Sequence, residues 1–292
     1  MIKYKGIILA GGSGSRLNPV TSYITKHLLP VYDKPMIFYP LSVLMLAKIR
    51  EILIISSAKD IDFFKKLLGD GSDFGLKIDY AIQNKPEGIA QAFLIGEKFI
   101  GKDNVSLILG DNIFFGSDFS KSLIKASKKK IGSTLFTCNV KDPERYGVIT
   151  LDKKNNPKFI VEKPTKPISN LAVTGLYFYD NSVIKVAKKL KPSLRGELEI
   201  TDLNNNFIKK KTTNVEILDR GFYWNDAGTY SSLLETSMVI KNFQSKNNSL
   251  IAVPEEISLN NKWINKKKMK KNLNKYANTK IYDYLKKLIN SS

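Results

Sequence analysis

The chain is poor in the side chains that most often carry redox chemistry, zinc binding and proton transfer. Its 292 residues include one cysteine, Cys138, and one histidine, His27. A single cysteine excludes an intrachain disulfide, and its place in the apolar run 134–138 predicts a buried structural thiol in a reducing, cytoplasmic setting. One histidine leaves no Cys/His zinc set, and it allows a Ser-His-Asp triad only with His27 as the base. The chemistry must therefore rest on carboxylates, lysines and arginines.

Long apolar segments are also missing. No uncharged stretch is longer than residues 35–47, which contain an internal proline and are fewer than the about 20 apolar residues that cross a bilayer. The apolar segment after Lys3 and Lys5 is too short for the core of an export signal. We therefore expect no membrane span and no signal peptide. A hydrophobic content of 42% still permits the core of one large or two moderate globular domains.

Acidic residues are too few to balance the lysines, and the formal net charge is +20. Most of this excess is spread along the chain, and residues 266–271 form its one dense cluster. Met269, Leu273 and Tyr276 keep helical spacing beside that cluster, which predicts an amphipathic helix with a solvated basic face. Such a charge suits an anionic substrate. Binding to nucleic acid is the weaker interpretation, because phosphate backbones are usually bound by clustered charge.

The first thirty-five residues carry the most informative pattern. An apolar run at 6–10 predicts a buried strand, and it leads into the glycine-rich segment 11–16. Glycines let backbone N–H groups converge on an anion, and Arg16 and Lys26 add positive charge. A dinucleotide fingerprint is excluded because Leu17 stands where a glycine is required, and no Walker sequence occurs. The segment predicts another kind of nucleotide phosphate loop, with an ordinary tight turn as the alternative.

Hydrophobic periodicity predicts strands alternating with helices, and hence an α/β fold with a mixed, mostly parallel sheet flanked by helices. In the first half, strands are predicted at 51–56, 77–82, 105–109 and 134–140, and helices at 38–47, 61–68, 88–99 and 119–129. In the second half, strands are predicted at 147–151, 159–162, 173–179 and 215–218, helices at 182–190 and about 200–210, and further helices over the last forty residues.

Three acidic segments follow predicted strands. They are residues 110–112 (Gly-Asp-Asn), 162–164 (Glu-Lys-Pro) and 225–229 (Asn-Asp-Ala-Gly-Thr). Each alone is explained by a turn or a helix cap, since Asp and Asn favour those places. Ligands in open α/β sheets bind at the carboxyl ends of strands. We therefore expect the three segments to share one sheet edge and to form a site there.

These motifs together resemble the sugar-1-phosphate nucleotidylyltransferases. The resemblance rests on the glycine-rich loop, Lys26–Pro30 with Lys34–Pro35, and the three acidic segments. It is specific for the glucose-1-phosphate thymidylyltransferases within that family through Gln83 and the segments 86–92, 142–148, 173–180 and 195–202, and it runs in order from Lys5 to about Ile264. It implies a Rossmann-like catalytic domain at 1–242, with a nucleotide half at about 1–140 and a sugar half at about 141–242, followed by a C-terminal helical extension at 243–292.

The family activity joins dTTP to α-D-glucose 1-phosphate, giving dTDP-glucose and pyrophosphate by in-line attack on the α-phosphorus. It opens the synthesis of dTDP-deoxysugars of the rhamnose type, and relatives usually form homotetramers. The attacking phosphate oxygen is already an anion, so no general base is needed, in keeping with the single histidine. UTP or another nucleoside triphosphate stays open as the substrate, because pairing with a pyrimidine hardly senses a methyl group. A non-catalytic nucleic-acid-binding or regulatory relative is the remote alternative.

The resemblance also assigns residues to roles. Asp111 and Asp226 are implied to hold Mg²⁺, a hard cation that prefers carboxylate, phosphate and water oxygens. With them, the predicted catalytic residues are Arg16, Lys26 and Lys163. The predicted nucleotide-binding residues are Gly11, Gly12, Gly14, Ser15, Arg16, Lys26, His27, Gln83 and Gly88. The predicted sugar-phosphate-binding residues are Asn112, Tyr146, Gly147, Glu162, Lys163, Val173 and Arg195.

Four places depart from the family pattern. Residues 225–229 read Asn-Asp-Ala-Gly-Thr where the family has Leu-Asp-Thr-Gly-Thr, which keeps the acidic residue but changes its neighbours. Ser15 stands where threonine is common and keeps the hydroxyl group. His27 stands where glutamine is common, and an imidazole can still donate one hydrogen bond. Residues 258–261 lack the arginine that many relatives use in a second, regulatory nucleotide site. Catalysis is therefore predicted more firmly than feedback regulation.

Overall fold

A computed structural model describes residues 3–247 and 249–291 of the protein. The predicted domain ranges also include residues 1, 2, 248 and 292, which lie outside the described residues. Within the described ranges the strands are β1 Tyr4–Ala10, β2 Pro30–Val31, β3 Lys34–Pro35, β4 Glu51–Ser56, β5 Lys77–Ile82, β6 Asn104–Leu109, β7 Asn112–Gly116, β8 Ser133–Asn139, β9 Gly147–Leu151, β10 Pro157–Glu162, β11 Leu171–Tyr179, β12 Thr213–Leu218 and β13 Phe222–Asp226.

The α-helices pack around these strands and continue beyond them to the C-terminus. They are α1 Phe38–Leu46, α2 Ile61–Leu68, α3 Gln91–Ile95, α4 Glu97–Ile100, α5 Phe119–Ser127, α6 Val183–Ala187, α7 Ile200–Lys209, α8 Tyr230–Asn247, α9 Pro254–Asn260, α10 Lys266–Leu273 and α11 Lys280–Ser291. Among the described helices, none combines the length and the apolar character that a bilayer span requires.

One nine-stranded sheet organises the fold, and along its main path the strands run β10-β9-β11-β6-β1-β4-β5. Strands β6, β1, β4 and β5 are parallel. Strand β11 is antiparallel to β6, β8 and β9, and β12 extends the sheet beyond β8. The predicted mixed α/β fold is confirmed. Every residue of β11 is buried, as expected for the strand that joins the parallel and antiparallel parts.

Apolar side chains fill both faces of the sheet. Ile8 and Ile52 belong to a cluster with α1, α2 and α5, whereas Ile7 and Leu53 belong to a cluster with α3, α6 and α7. The alternation follows from the period of two along a strand. A separate cluster lies among α9, α10 and α11, where Met269 is fully buried and lysines of α10 stay exposed. This confirms the predicted amphipathic helix.

Local elements differ from prediction in three places. The helix predicted at 88–99 begins at Gln91, because Gly88 has a φ of +103°, and it is interrupted at Gly96. Helix α6 is shorter than the predicted 182–190. Cys138 was predicted to be buried, but it lies near the end of β8 and is only half-buried. The helix bounds differ because single glycines and short connections limit each helix more than hydrophobic periodicity does.

A two-stranded sheet of β7 and β13 was not predicted. The sequence pattern placed residues 225–229 at one edge of the main sheet together with residues 110–112 and 162–164. The expectation of a shared edge was wrong, because Phe222–Asp226 lie in a separate sheet, although all three segments still reach one cavity. The two strands pair antiparallel, with Phe222 opposite Gly116 and Asp226 opposite Asn112. This pairing joins segments more than 100 residues apart, and no local pattern reports it. It carries Asp226 to the end of β6, where Asp111 lies.

Candidate active site

The glycine-rich loop connects β1 to a 3-10 turn at Ser15–Leu17. Gly14 has a φ of +66°, a backbone conformation that residues other than glycine rarely adopt. A Cβ on Gly11 would lie 2.0 Å from Oε1 of Gln83, so glycine is needed where this amide side chain meets the loop. A Cβ on Gly12 would lie 3.7 Å from Nζ of Lys26. The structure therefore gathers the loop, Gln83 and Lys26 as the sequence predicts.

Gln83 is held in one orientation. Its side chain is buried, and its Nε2 donates to Oε1 of Gln91 at 2.6 Å. Nε2 of Gln91 donates in turn to Oε2 of Glu87 at 2.7 Å. Next to Glu87, Gly88 lies so close to the second half of the chain that a Cβ would be 2.4 Å from the carbonyl oxygen of Leu198. These residues form a rigid wall beside the glycine loop.

Asp111 follows β6 and forms an ion pair with Lys26. The Nζ of Lys26 lies 2.5 Å from Oδ2 of Asp111, and both side chains are mostly buried. Burial by itself raises the pKa of a carboxyl group, but the Lys26 ammonium and a hydrogen bond from Asn112 hold the pKa of Asp111 well below its usual range. Asp111 is therefore ionised throughout the physiological pH range.

Asp226 ends β13 and lies beside Asp111. The backbone N–H of Ala227 donates to the carbonyl oxygen of Asp111 at 2.9 Å, which joins the two acidic segments. Burial and then the charge of Asp111 raise the pKa of Asp226, while Arg145 and Arg16 partly offset this rise. The two carboxylates are close enough to repel each other, and a bound cation would relieve this repulsion.

The donor set at these carboxylates suits Mg²⁺. Within residues 3–247 and 249–291, no group of three or more His, Cys, Asp and Glu side chains is placed to hold a metal ion. Mg²⁺ is typically bound by one or two carboxylates together with substrate phosphates and water, and a complete protein cage is not needed. Asp111 and Asp226 are the two side chains here that could hold such a cation.

A cavity of about 260 Å³ opens in front of the two carboxylates. It brings together nine residues predicted from the sequence: Arg16, Asp111, Asn112, Tyr146, Gly147, Glu162, Lys163, Val173 and Asp226. Five further polar or aromatic residues in its lining were missed: Arg145, Tyr177, Thr201, Asn204 and Trp224. Arg145 directly precedes Tyr146, and Trp224 lies two residues before Asp226. Arg145, Tyr177 and Thr201 also lie within the segments that carry the family resemblance, and these are the signals that could have revealed them.

Asn112 connects three segments in the wall of the cavity. Its Oδ1 accepts from the backbone N–H of Gly175 at 3.0 Å and from Nε1 of Trp224 at 2.7 Å. Its Nδ2 donates to Oδ1 of Asp111 at 3.1 Å. The side chain is buried, and its second N–H has no partner among the described residues. Asn112 thus fixes Asp111 and Trp224 relative to each other.

Comparison with known proteins identifies the family. A family model described as "Nucleotidyl transferase" matches residues 5–242. The chain belongs to the nucleotidyl transferase family. It is 52% identical over 285 residues to a glucose-1-phosphate thymidylyltransferase of Neisseria meningitidis, covering 98% of this chain and 99% of that protein. It is 49% identical to one of Mycolicibacterium smegmatis, covering 87% of this chain and 88% of that protein. The predicted family and the prediction of an enzyme are confirmed.

Solved structures support the same fold. A putative glucose-1-phosphate thymidylyltransferase from Bacillus anthracis, crystallised with sucrose, has a TM-score of 0.75 and 42% identity, covering 81% of this chain and 94% of that one. A UDP-glucose pyrophosphorylase complexed with UDP-glucose has a TM-score of 0.73 at 24% identity, covering 83% of this chain and 100% of that one, and shows the fold alone.

Arg195 of this nucleotidyl transferase lies outside the cavity. It lines an adjoining cavity of about 530 Å³ that shares Glu162 and Lys163 with the first. Its Nη2 lies 2.9 Å from each carboxylate oxygen of Glu199 and 3.9 Å from Oε1 of Glu162. The guanidinium is therefore engaged beside the site, where an incoming phosphate would compete with Glu199 for it.

His27 is placed behind the site and does not line the cavity. Its ring is buried, with Nδ1 3.1 Å from Oγ1 of Thr25. A Cβ on Gly110 would lie 2.6 Å from Cδ2 of His27, so the ring packs directly against the turn that leads to Asp111. Burial, reinforced by the charge of Lys26, lowers the pKa of His27 to about 3. The imidazole is therefore neutral at physiological pH and supports this nucleotidyl transferase site by packing.

The buried His27 should make the protein acid-sensitive. Its pKa is about 3 in the folded chain against an ordinary value of 6.5, so the unfolded state binds more protons between these values. Stability from this group is complete above about pH 6.5 and falls towards pH 3, by at most about 1.4 kcal/mol per pH unit. We expect His27→Gln to flatten the fall in urea midpoint between pH 6.5 and 4.5. If the urea midpoint of the variant falls with pH as steeply as that of wild type, the assignment is contradicted. The difference between the two midpoints at pH 8 is the reference.

Proposed function

We propose that this nucleotidyl transferase joins dTTP to α-D-glucose 1-phosphate and releases pyrophosphate, forming dTDP-glucose for deoxysugar synthesis. The observation that carries the proposal is the gathering of cations and carboxylates at one cavity. Arg16, Lys163, Asp111 and Asp226 line it, and Lys26 contacts Asp111. The names of the relatives at about half identity over nearly the whole chain support the choice of base and sugar.

The chemical task is to bring two anions together. The attacking oxygen of the sugar phosphate is already deprotonated, so the site must neutralise and align rather than remove a proton. Backbone N–H groups of the glycine-rich loop and Arg16 would bind the triphosphate, and Lys26 would stabilise charge on the departing pyrophosphate. Lys163, which has a φ of +43° and whose N–H donates to the carbonyl oxygen of Tyr146, would bind the sugar phosphate. A Mg²⁺ ion held by Asp111 and Asp226 would supply charge neutralisation at the α-phosphate.

The far wall of the cavity offers groups that suit a hexose. Glu162 accepts a hydrogen bond from Oγ1 of Thr201, which leaves its other oxygen available to a hydroxyl group. A Cβ on Gly147 would lie 3.1 Å from Oε2 of Glu162, so a glycine here keeps room for a ring. Asn112 and Tyr146 complete this wall, and all these residues line the cavity. Several hydroxyl groups can therefore be recognised at once.

UTP is the second candidate nucleotide. The oriented amide of Gln83 can pair with the edge of a pyrimidine ring, and this contact is the same for thymine and uracil. Methyl recognition in a hydrophobic pocket is worth about 1–3 kcal/mol, which limits the preference to about 10–200-fold. We expect dTTP to be used best and UTP more weakly, whereas purine nucleotides should be poor substrates.

The proposal is tested by pyrophosphate release across a panel of nucleoside triphosphates and sugar 1-phosphates with Mg²⁺, each measured with and without chelator. Turnover with dTTP and glucose 1-phosphate that chelator removes is the expected result. Release with purine nucleotides only would overturn the base assignment. Silence across the panel, combined with salt-sensitive binding to RNA, would instead support a non-catalytic relative.

We also propose the organisation of the whole enzyme. Residues 1–242 would form the catalytic unit and 243–292 a helical extension, in agreement with the range matched by the family model. The boundary falls inside α8, so residues 230–242 of that helix belong to the catalytic unit and its last residues to the extension. A homo-oligomer, tetrameric by family resemblance, is supported by exposed Leu234 and Met238 on α8. Sedimentation measurements test this assembly. A cytoplasmic location, without membrane or nucleic-acid partners, completes the proposal.

A further inference from the structure

Arg145 occupies a position in the site to which no role has yet been given. It ends the 3-10 turn Pro143–Arg145 and lines the cavity. Its Nη1 lies 2.6 Å from Oδ2 of Asp142, and its Nη2 lies 3.3 Å from Oδ1 of Asp226. The guanidinium also lies over the ring of Tyr146, with Cζ 5.3 Å from the ring centroid. One half of this guanidinium is thus held by Asp142, and the other half contacts a proposed metal ligand.

The two carboxylates of the site are neutralised in the same way. Lys26 contacts Asp111, and Arg145 contacts Asp226. The contacted oxygen of Asp226 also accepts a hydrogen bond from the Tyr146 hydroxyl group at 3.4 Å. A divalent cation that binds Asp226 must therefore compete with Arg145 for the same carboxylate. Ion pairs of partly exposed side chains are weak, so the cation can win this competition.

A displaced Arg145 would already lie where phosphate arrives. It lines the same cavity as Arg16 and Lys163, and the contact with Asp142 keeps it attached to the turn. An arginine fork binds phosphate through two parallel hydrogen bonds, which a lysine cannot do. The site must gather two anionic substrates, so a freed guanidinium has an immediate ligand there.

We propose that Arg145 exchanges partners during binding: it neutralises Asp226 in the free enzyme and binds the phosphate of the incoming sugar phosphate once a divalent cation occupies Asp226. The phosphate half of this exchange rests on the proposed function, whereas the half at Asp226 does not. Loading of the metal then prepares the second anion site.

The exchange predicts opposite effects of one substitution. Arg145→Ala removes the competitor at Asp226, so divalent cations should bind the free protein about threefold to tenfold more tightly. The same variant lacks the phosphate contact, so its KM for glucose 1-phosphate should rise about tenfold or more. Arg145→Lys keeps a charge without the fork. It should bind the cation nearly as weakly as wild type does, and its KM for glucose 1-phosphate should lie between those of wild type and Arg145→Ala.

The experiment uses Mn²⁺ as the probe, because its binding to the free full-length protein is read by paramagnetic resonance without turnover. The matched control is Arg220→Ala, which removes the same charge from an exposed turn and should change neither cation affinity nor KM. Steady-state kinetics of wild type, Arg145→Ala, Arg145→Lys and Arg220→Ala supply the second readout. Circular dichroism checks that each variant is folded.

Each outcome decides the proposal. Tighter Mn²⁺ binding with a raised KM supports it. Weaker binding with a raised KM indicates a structural role for Arg145, and unchanged binding shows that no exchange occurs at Asp226; either result overturns the proposal. Tighter binding with an unchanged KM overturns the phosphate half. If wild type turns over no sugar phosphate, the proposed function fails and the phosphate half with it, whereas the Mn²⁺ measurement still decides whether Arg145 competes for Asp226.

Discussion

Asp111→Asn should lower pyrophosphate release by about a thousandfold or more, because the amide keeps the shape of the side chain but removes the charge. Groups that stabilise transition-state charge in a dry site are worth about 10²–10³ in rate, and a lost metal ligand adds to this cost. Asp111 is buried, and its low pKa keeps it ionised. The substitution therefore removes a full negative charge from the site. The measurement is the turnover rate with saturating dTTP, glucose 1-phosphate and Mg²⁺.

Asp62→Asn is the matched control for this experiment. Asp62 is an exposed residue of α2 whose ion-pair partner is Lys65 one helical turn later, so its neutralisation should leave turnover unchanged. Retention of more than a tenth of wild-type activity by Asp111→Asn would contradict the assignment of Asp111 as a metal ligand. Far-UV circular dichroism separates this result from unfolding, since removal of Asp111 also leaves Lys26 without its partner.

Gly88→Ala should destabilise the protein and weaken nucleotide binding together. The φ of +103° at Gly88 is strained for alanine, and the added Cβ would lie 2.4 Å from the carbonyl oxygen of Leu198. Backbone strain and overpacking each cost about 1–3 kcal/mol. Relief requires movement of residues 87–90, which are hydrogen-bonded to Leu198 and lead into the side chains that orient Gln83. We expect a loss of about 3 kcal/mol in the free energy of unfolding and at least a tenfold rise in KM for dTTP.

Gly101→Ala separates strain from contact. Gly101 also has a positive φ, at +60°, but a Cβ there would meet no atom within 4 Å. This variant should lose about 1 kcal/mol and keep the wild-type KM. Urea denaturation and steady-state kinetics on both variants provide the comparison. Equal losses of stability in the two variants would show that the approach of Gly88 to Leu198 is not as tight as described.

The parallel part of the sheet was the easiest to predict from sequence. Strands β4 and β5 were predicted at the same bounds that the structure shows. For β4 the reason is that consecutive apolar and β-branched residues between turn residues are typical of strands buried in a parallel sheet. The glycine loop and the acidic turn at Asp111 were predicted because their residue types serve local backbone geometry. Local sequence therefore reports local structure and the side chains directly attached to it.

The contacts of the site were less predictable because they join distant segments. Asn112 takes its partners from positions 175 and 224, and Arg145 contacts Asp226 across 81 residues. Nothing in the sequence near Asn112 or Arg145 specifies these partners. His27 is the opposite case. The sequence singles it out as the one histidine, but its protonation state follows from its burial against Gly110. Packing determines which polar side chain faces the cavity.

The pairing of β7 with β13 sets the moment during synthesis at which the site becomes complete. Strand β7 leaves the ribosome long before β13, since their residues are about 110 positions apart. At ordinary elongation rates this separation corresponds to on the order of ten seconds. During that interval the nascent chain carries the glycine loop, Lys26 and Asp111 but lacks the second carboxylate. A chain released early, before Asp226, therefore lacks one of the two proposed acidic ligands, and we expect premature termination to yield an inert product rather than a partly active one.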